Sequence, residues 1–387
     1  MHFLSNFKSN LNLEKLRLIL FFFFFLAQLN SFGQSIYQDK EVQKVIQQGL
    51  DKTYNFQFYE AELLYQEVRK QHPNSPAYNF LMAVNNYWRI LQENKFKEKS
   101  KEYLSYLELA LKQTEKTLEK DPKNLEGIFF SMIIHSSYTL YHTRNKDNLK
   151  TIGSAKQTYN FMKQGFKLKE KFADFYFSTG IYDYYVVQYP ESNSAFRPFM
   201  WFFASGDKQR GLSELEIASK QAIFVRTESM NYLSNIYLKY ESKPAQSLVY
   251  ISQIAKKYPN NFYFTVKHTE ALIGAGKYEE AEKYILPLYY SGHRFFEMAS
   301  FVFSAEVYEK YRNKLDAAKI YYQKAVNAYS KVDAPVKDYL SFAYCGLARI
   351  ADKQGDKKSA KDYYEKALKV AEYNWVKKEA NEYLDRD

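Results

Sequence analysis

A short phrase recurs along this chain: a small residue, an aromatic residue four positions later, and then a stop. In YEAELLYQEVRKQHPNSP, Ala61 is followed by Tyr65 and then by Pro73, with Gly49 upstream. Ala318, Tyr322 and Ala325 in AAKIYYQKAV are matched by Ala360, Tyr364 and Ala367 in SAKDYYEKAL. Steps of four and seven return to one side of an α-helix, so each phrase lays a stripe of small and aromatic side chains along a single helix. Small residues admit a neighbouring helix, the aromatic ring wedges against it, and proline ends the second helix of a pair. Gly276, Tyr278 and Ala281 in GAGKYEEAEKYI supply a turn and the next helix start, while Ala155 with Tyr159, Ala110 before Pro122 and Ser247 before Pro259 extend the series. A two-helix unit cannot bury its apolar stripe alone and must stack on its neighbours.

This grammar resembles the tetratricopeptide repeat family, best over Glu41–Ser75 and from Met230 to Asn374. The resemblance implies an all-α fold, a right-handed α-solenoid of stacked antiparallel helix pairs, running through residues 34–374 without a conventional domain boundary. With only 13 Gly and 9 Pro in 387 residues, the composition also disfavours turn-rich β architectures and disorder. The last piece, residues 375–387 with Trp375, suits a helix that caps the open end of the stack.

The N-terminus reads as a targeting segment. Basic residues precede LILFFFFFLA, and small Ser31 and Gly33 follow, so cleavage after Gly33 and export to the periplasm or the extracellular space are expected. The apolar block is too short to span a bilayer, which leaves no transmembrane segment in the mature chain. The net charge is +11, but acids are interleaved with the bases, as in KFKEKSKEY, so the charge reads as solvated helix faces and argues against a nucleic-acid partner.

One interval breaks the rhythm. Between a tyrosine-rich helix in GIYDYYVVQYPESNS and a helix opening at Asp207, an aromatic insertion occupies residues 189–206, centred on Phe196–Phe203. Asp207 is placed to cap the helix that follows. The order GIYDYY, proline, aromatic loop, GDKQRGLSELEIAS resembles a variant repeat of exported bacterial tetratricopeptide proteins. Packing of Phe199, Trp201 and Phe202 between the flanking helices is the plainer reading of the insertion. The functional one is a lip over a concave groove, with Arg197 and Trp201 exposed and Tyr182, Tyr184 and Tyr185 behind them.

No catalytic constellation stands out. His135 and His142 are too far apart along a helix to share a zinc ion, GAGK lacks the strand–loop–helix setting and the hydroxyl residue of a phosphate loop, and the single cysteine, Cys345, sits on a helix without a partnering signature. No cofactor or metal is expected, and the chain does not read as an enzyme. Stacked pairs instead offer a concave surface for an extended or helical segment of a partner protein. The repeat register places Tyr184, Tyr232, Lys239, Glu270, Lys310 and Arg349 along it, tyrosine supplying contact area and the cations gripping a carboxylate. Tyr185, Arg197 and Trp201 complete the expected binding set. The competing expectation is a glycan or nutrient bound at the cell envelope by the aromatic groove.

Overall fold

The computed structural model describes residues 35–94, 96–192, 197, 203–332 and 336–386. Among these residues there are seventeen α-helices and no strand, and the helices pair in chain order. α1 (Lys40–Tyr54) lies on α2 (Phe58–Gln71), α3 (Ala77–Glu93) on α4 (Phe96–Lys120), α5 (Leu125–Arg144) on α6 (Asn148–Gly165) and α7 (Phe175–Ser192) on α8 (Lys208–Gln221). The series continues with α9 (Arg226–Lys239) on α10 (Pro244–Lys257), α11 (Phe262–Gly274) on α12 (Tyr278–Tyr289), α13 (Arg294–Lys310) on α14 (Leu315–Tyr329) and α15 (Lys337–Lys353) on α16 (Lys357–Val370). α17 (Asn374–Leu384) closes the stack on α15 and α16, burying Val376 and Ala380. This is the right-handed α-solenoid that the repeat grammar implies.

The odd-numbered helices also pack on one another, whereas the even-numbered ones are held apart. A stack whose first helices crowd together while the second helices spread must curve toward the first, so α1, α3, α9, α11, α13, α15 and α17 line the inner face. The inner helices stand farthest apart on both sides of α7, where aromatic pairs bridge the spacing: Phe129 with Phe175 at 5.7 Å and Phe177 with Tyr232 at 5.3 Å.

The stripes read from the sequence form the core. Ala61, Tyr65, Ala318, Tyr322, Ala325, Ala360, Tyr364 and Ala367 are all buried. The tyrosine rings need sockets, and glycine provides two of them. A Cβ on Gly49 would lie 2.3 Å from the Tyr65 ring, and one on Gly346 would lie 2.1 Å from that of Tyr322. Helix starts are capped by short polar side chains: Asp39 accepts from the Val42 amide at 3.1 Å, Asn124 from Gly127 at 3.0 Å, and Asp207, as expected, from Arg210 at 2.7 Å.

The turns within pairs share one device. Phe56, Asn94, Lys146, Ser242, Gly276, Asn313 and Gly355 each hold a positive φ between 51° and 79° at the turn that reverses the chain. GAGK is therefore the repeat turn it was taken for, with Gly276 at φ 74° between α11 and α12. The α7–α8 connection alone is built differently. There α7 runs on to Ser192 with Pro190 inside it. A proline in the last turn forfeits only one helical hydrogen bond, so the helix tolerates it.

The superhelix also touches itself. Tyr54 at the end of α1 donates to Glu228 of α9, Lys257 and Tyr258 both reach Asp51 at 2.7 Å, and Tyr263 donates to the Leu91 carbonyl at 3.0 Å. Farther on, the end of α9 meets α15 and the α16–α17 turn through Lys239 and through Asn374, which donates to the Tyr240 carbonyl at 2.6 Å.

Candidate partner-binding face

Where α9, α11, α13, α15 and α17 converge, the inner face encloses a cavity of about 280 Å³. Three of the residues expected along the groove, Glu270, Lys310 and Arg349, meet there, beside an aromatic wall of Phe342, Tyr373 and Trp375. Phe342 anchors that wall, its ring 4.8 Å from Tyr373 and 5.0 Å from Trp375.

The charges are not free. Arg349 donates through Nε and Nη2 to both oxygens of Glu309 at 2.7 and 2.8 Å, and through Nη1 to Glu379 at 2.8 Å. Burial raises the Glu309 pKa, but Arg349 and the Tyr322 hydroxyl outweigh it and leave the carboxyl below its ordinary value. Lys310 bonds Glu306 at 2.7 Å and lies 5.8 Å from the centre of the Trp375 ring. Lys239 bonds Glu372 and sits 3.4 Å from Asp338; burial works against its charge, yet the two carboxylates hold the ammonium pKa up at about 12. Asp338 moves the other way, its pKa raised by burial against the pull of Lys239 and Lys267. The expectation that these cations grip an incoming carboxylate is therefore corrected: each is already held by one or two carboxylates of the protein itself.

Glu270 differs. Only 7 % exposed, it accepts at Oε2 from Tyr339 at 2.7 Å and from Lys267 at 3.0 Å, while its buried Oε1 has no hydrogen-bond partner.

The aromatic residues expected at the groove are placed elsewhere. Tyr184 is fully buried, donating to Glu241 at 2.6 Å in a small core with Leu212, Leu215, Leu233 and Ile236. It is a wedge between helices, because a tyrosine ring at that point of α7 faces α8 and α9 and not solvent. Tyr232 packs edge-on against Phe177 at 5.3 Å. Arg197 is exposed and donates to the Pro190 carbonyl at 3.2 Å, folding back on the end of α7. Trp201, like most of Phe196–Phe203 and all of the segment up to Gly33, lies outside the described residues.

Tyr185 borders a second cavity of about 430 Å³, an apolar groove between the α5–α6 pair and α7. Ile133, Met162, Tyr182, Tyr189 and Phe203 share its walls. Among the described residues no further helix covers its apolar side chains. Its threonine hydroxyls are spent on their own helices, Thr139 donating to the His135 carbonyl at 2.9 Å and Thr158 to that of Ser154 at 3.0 Å, and Tyr182 donates to the Ala204 carbonyl at 2.8 Å.

The unusual motif around this groove proves to be a clasp. Asp183, 1 % exposed, receives Arg210 through two bonds, one of 2.7 Å, and Gly180 faces Gly211 so closely that a Cβ on Gly180 would lie 2.9 Å from the Gly211 carbonyl oxygen. GIYDYY and GDKQRGL thus lock α7 to α8.

A further cavity, about 730 Å³, lies away from every expected residue, between α12 and α14, where Leu286, Tyr289 and Tyr290 are exposed. Among the described residues no helix is long and apolar enough to cross a membrane, and no cluster of metal-ligating side chains occurs. His135 and His142 stack instead on Phe161 and Tyr138.

The half of the molecule that holds the charged pocket is also the half with a recognisable signature. Residues 297–372 match the tetratricopeptide repeat model. The matched stretch runs from α13 to just beyond α16 and carries Lys310, Arg349 and Phe342. No curated protein sequence matches the chain. Among solved structures, the human IFIT1 dimer with PPP-AAAA is similar at a TM-score of 0.37 and 14% identity, over 81% of this chain and 68% of that one. The TPR domain of P58(IPK) is similar at 0.25 and 14% identity, over 89% and 99%. At such scores neither structure bears on what this chain binds.

Sequence reasoning missed Glu306, Glu379, Phe342 and Tyr373 as pocket residues, and Trp375 was seen only as part of the capping helix. A signal for the acids existed: Glu270, Glu306 and Glu379 stand on the inner helices α11, α13 and α17, which also carry or flank Lys310 and Arg349.

Proposed function

We propose that the protein is a non-catalytic scaffold, exported by its N-terminal segment, that binds an extended segment of a partner protein along its inner face. Tetratricopeptide repeats generally serve protein–protein interaction, and the observation that carries the reading here is the pocket where Glu270, Lys310, Arg349 and Trp375 meet. At about 280 Å³ it has room for one large side chain, not for a free metabolite of ordinary size. It opens on a surface made of successive inner helices, along which the rest of a segment can lie. A glycan has less support. Sugars need polar groups flanking the stacked ring, and Thr139, Thr158 and Ser178 of the apolar groove already donate within their own helices.

The test is site-specific photocrosslinking. A benzophenone amino acid placed at Trp375 on the inner face, and at exposed Ile320 on α14 as control, is irradiated in the native envelope fraction, and adducts are identified by mass spectrometry. Protein adducts from position 375 alone are expected. Equal adducts from both positions, or none from either, would sink the reading.

A further inference from the structure

The pocket is acidic on a basic protein. Around it, four cations, Lys239, Lys267, Lys310 and Arg349, are set against six carboxylates, whereas the whole chain carries +11. Each of these cations already has a carboxylate partner. Arg349 uses its fork on two carboxylates, and drawing it to a third would strand a buried Glu309 or a half-buried Glu379. What stays unsatisfied is an acceptor. Glu270 belongs to the cavity lining and its Oε1 is buried without a partner, and a buried carboxylate oxygen left unpaired is costly, so the site gains most from a donor carrying positive charge. The aromatic wall points the same way, because the faces of Trp375, Tyr373 and Phe342 attract cations, as the position of Lys310 over Trp375 already demonstrates.

Resting on the scaffold reading above, we infer that the pocket receives a basic side chain, arginine before lysine, from the bound segment. Its guanidinium donates to Glu270 Oε1 and lies against the aromatic wall. Arginine is favoured because its planar fork both stacks on an indole and donates in two directions, whereas an ammonium is a compact, strongly hydrated charge. The partner segment is therefore basic at the point of contact, opposite in sign to what exposed lysines and arginines on the groove would select.

The experiment uses the full chain and a displayed library of random dodecapeptides, followed by titration of selected peptides and of versions with the basic residue replaced by citrulline, lysine or glutamate. Enrichment of one arginine or lysine position is expected, with binding weakened at least tenfold by citrulline or by E270Q. E270Q keeps the acceptor shape and removes the charge; if it lowers the melting temperature, E379Q and Trp375→Leu give the deciding titrations. Peptides that bind without a basic position, or that bind E270Q, E379Q and Trp375→Leu as well as the parent chain, would overturn this assignment and leave the scaffold standing. Failure to select any peptide, with saturable binding of an oligosaccharide such as maltohexaose, would overturn both.

Discussion

Two stretches of the inner row treat the same building rule in opposite ways. From α9 to α17 consecutive inner helices touch, and their side chains converge into a closed polar network around one small cavity. Around α7 the helices stand farther apart, bridged by aromatic rings, and an apolar groove opens beside a glycine clasp. The helix pairs are alike in both places. What differs is how closely neighbours in the row approach, so the chemistry of the face follows from that spacing and not from the repeat phrase.

The sharpest way to break the contrast is to remove Arg349. Arg349→Ala strands Glu309 beside Glu379 and is expected to cost about 3–5 kcal/mol in urea unfolding. A loss below about 1 kcal/mol would mean that the network is solvated and the pocket not closed. In the α7 region the corresponding lever is backbone proximity. Gly180→Ala drives a Cβ to 2.9 Å from the Gly211 oxygen and the Leu215 nitrogen, neither of which can swing aside, and about 1–3 kcal/mol of destabilisation is expected. Gly153→Ala on α6 has nothing within 4 Å and is the matched control, expected to gain about 0.5–1 kcal/mol from helix propensity. Equal effects at the two glycines would remove the clasp from the account.

A third test addresses the joint between the N-terminal pairs and α9. Burial raises the pKa of the Glu228 carboxyl to about 7, and its Oε2 is unpartnered. Between the unfolded value and about 7 the native state holds the extra proton, so this contribution to stability is full at low pH and is lost as pH rises through 7. Melting curves at pH 5.5 and 8 should differ by on the order of 2 kcal/mol more in the parent than in Glu228→Gln, which keeps the acceptor for Tyr54. The same slope in both proteins would place the titration elsewhere. The smallest effect is expected at a turn: Ser242→Gly, at φ 52°, should stabilise by about 0.5–1 kcal/mol, read as a slightly higher melting temperature.

These turns also explain how much was legible in advance. Pairing, order and most helix limits followed from the stripes, since a stripe such as Ala318–Tyr322–Ala325 is a local pattern with one helical reading. The shared left-handed turn was not legible, because only Gly276 and Gly355 of its seven positions are the residue that advertises it. The pocket was half legible. Register put Glu270, Lys310 and Arg349 on one face, but whether a cation is free depends on what the next inner helix brings, and Glu309 and Glu379 arrive from α13 and α17. Tyr184 failed for the complementary reason: a stripe of tyrosines does not say which ring is the wedge, and here Glu241, far along the chain, decides it.

The contacts that the superhelix makes with itself carry a consequence for how it comes apart. An open array frays from its ends, each unit answering only to its neighbours. Here Tyr54 is tied to Glu228, and Lys239 to Asp338 and Glu372, across long stretches of intervening chain. Those ties turn a spring into a ring of dependencies: releasing the first pair exposes the middle, and releasing the middle frees the last. Unfolding should be nearly all-or-none, and folding slow, because the clasps that make it cooperative form only after distant segments have found one another.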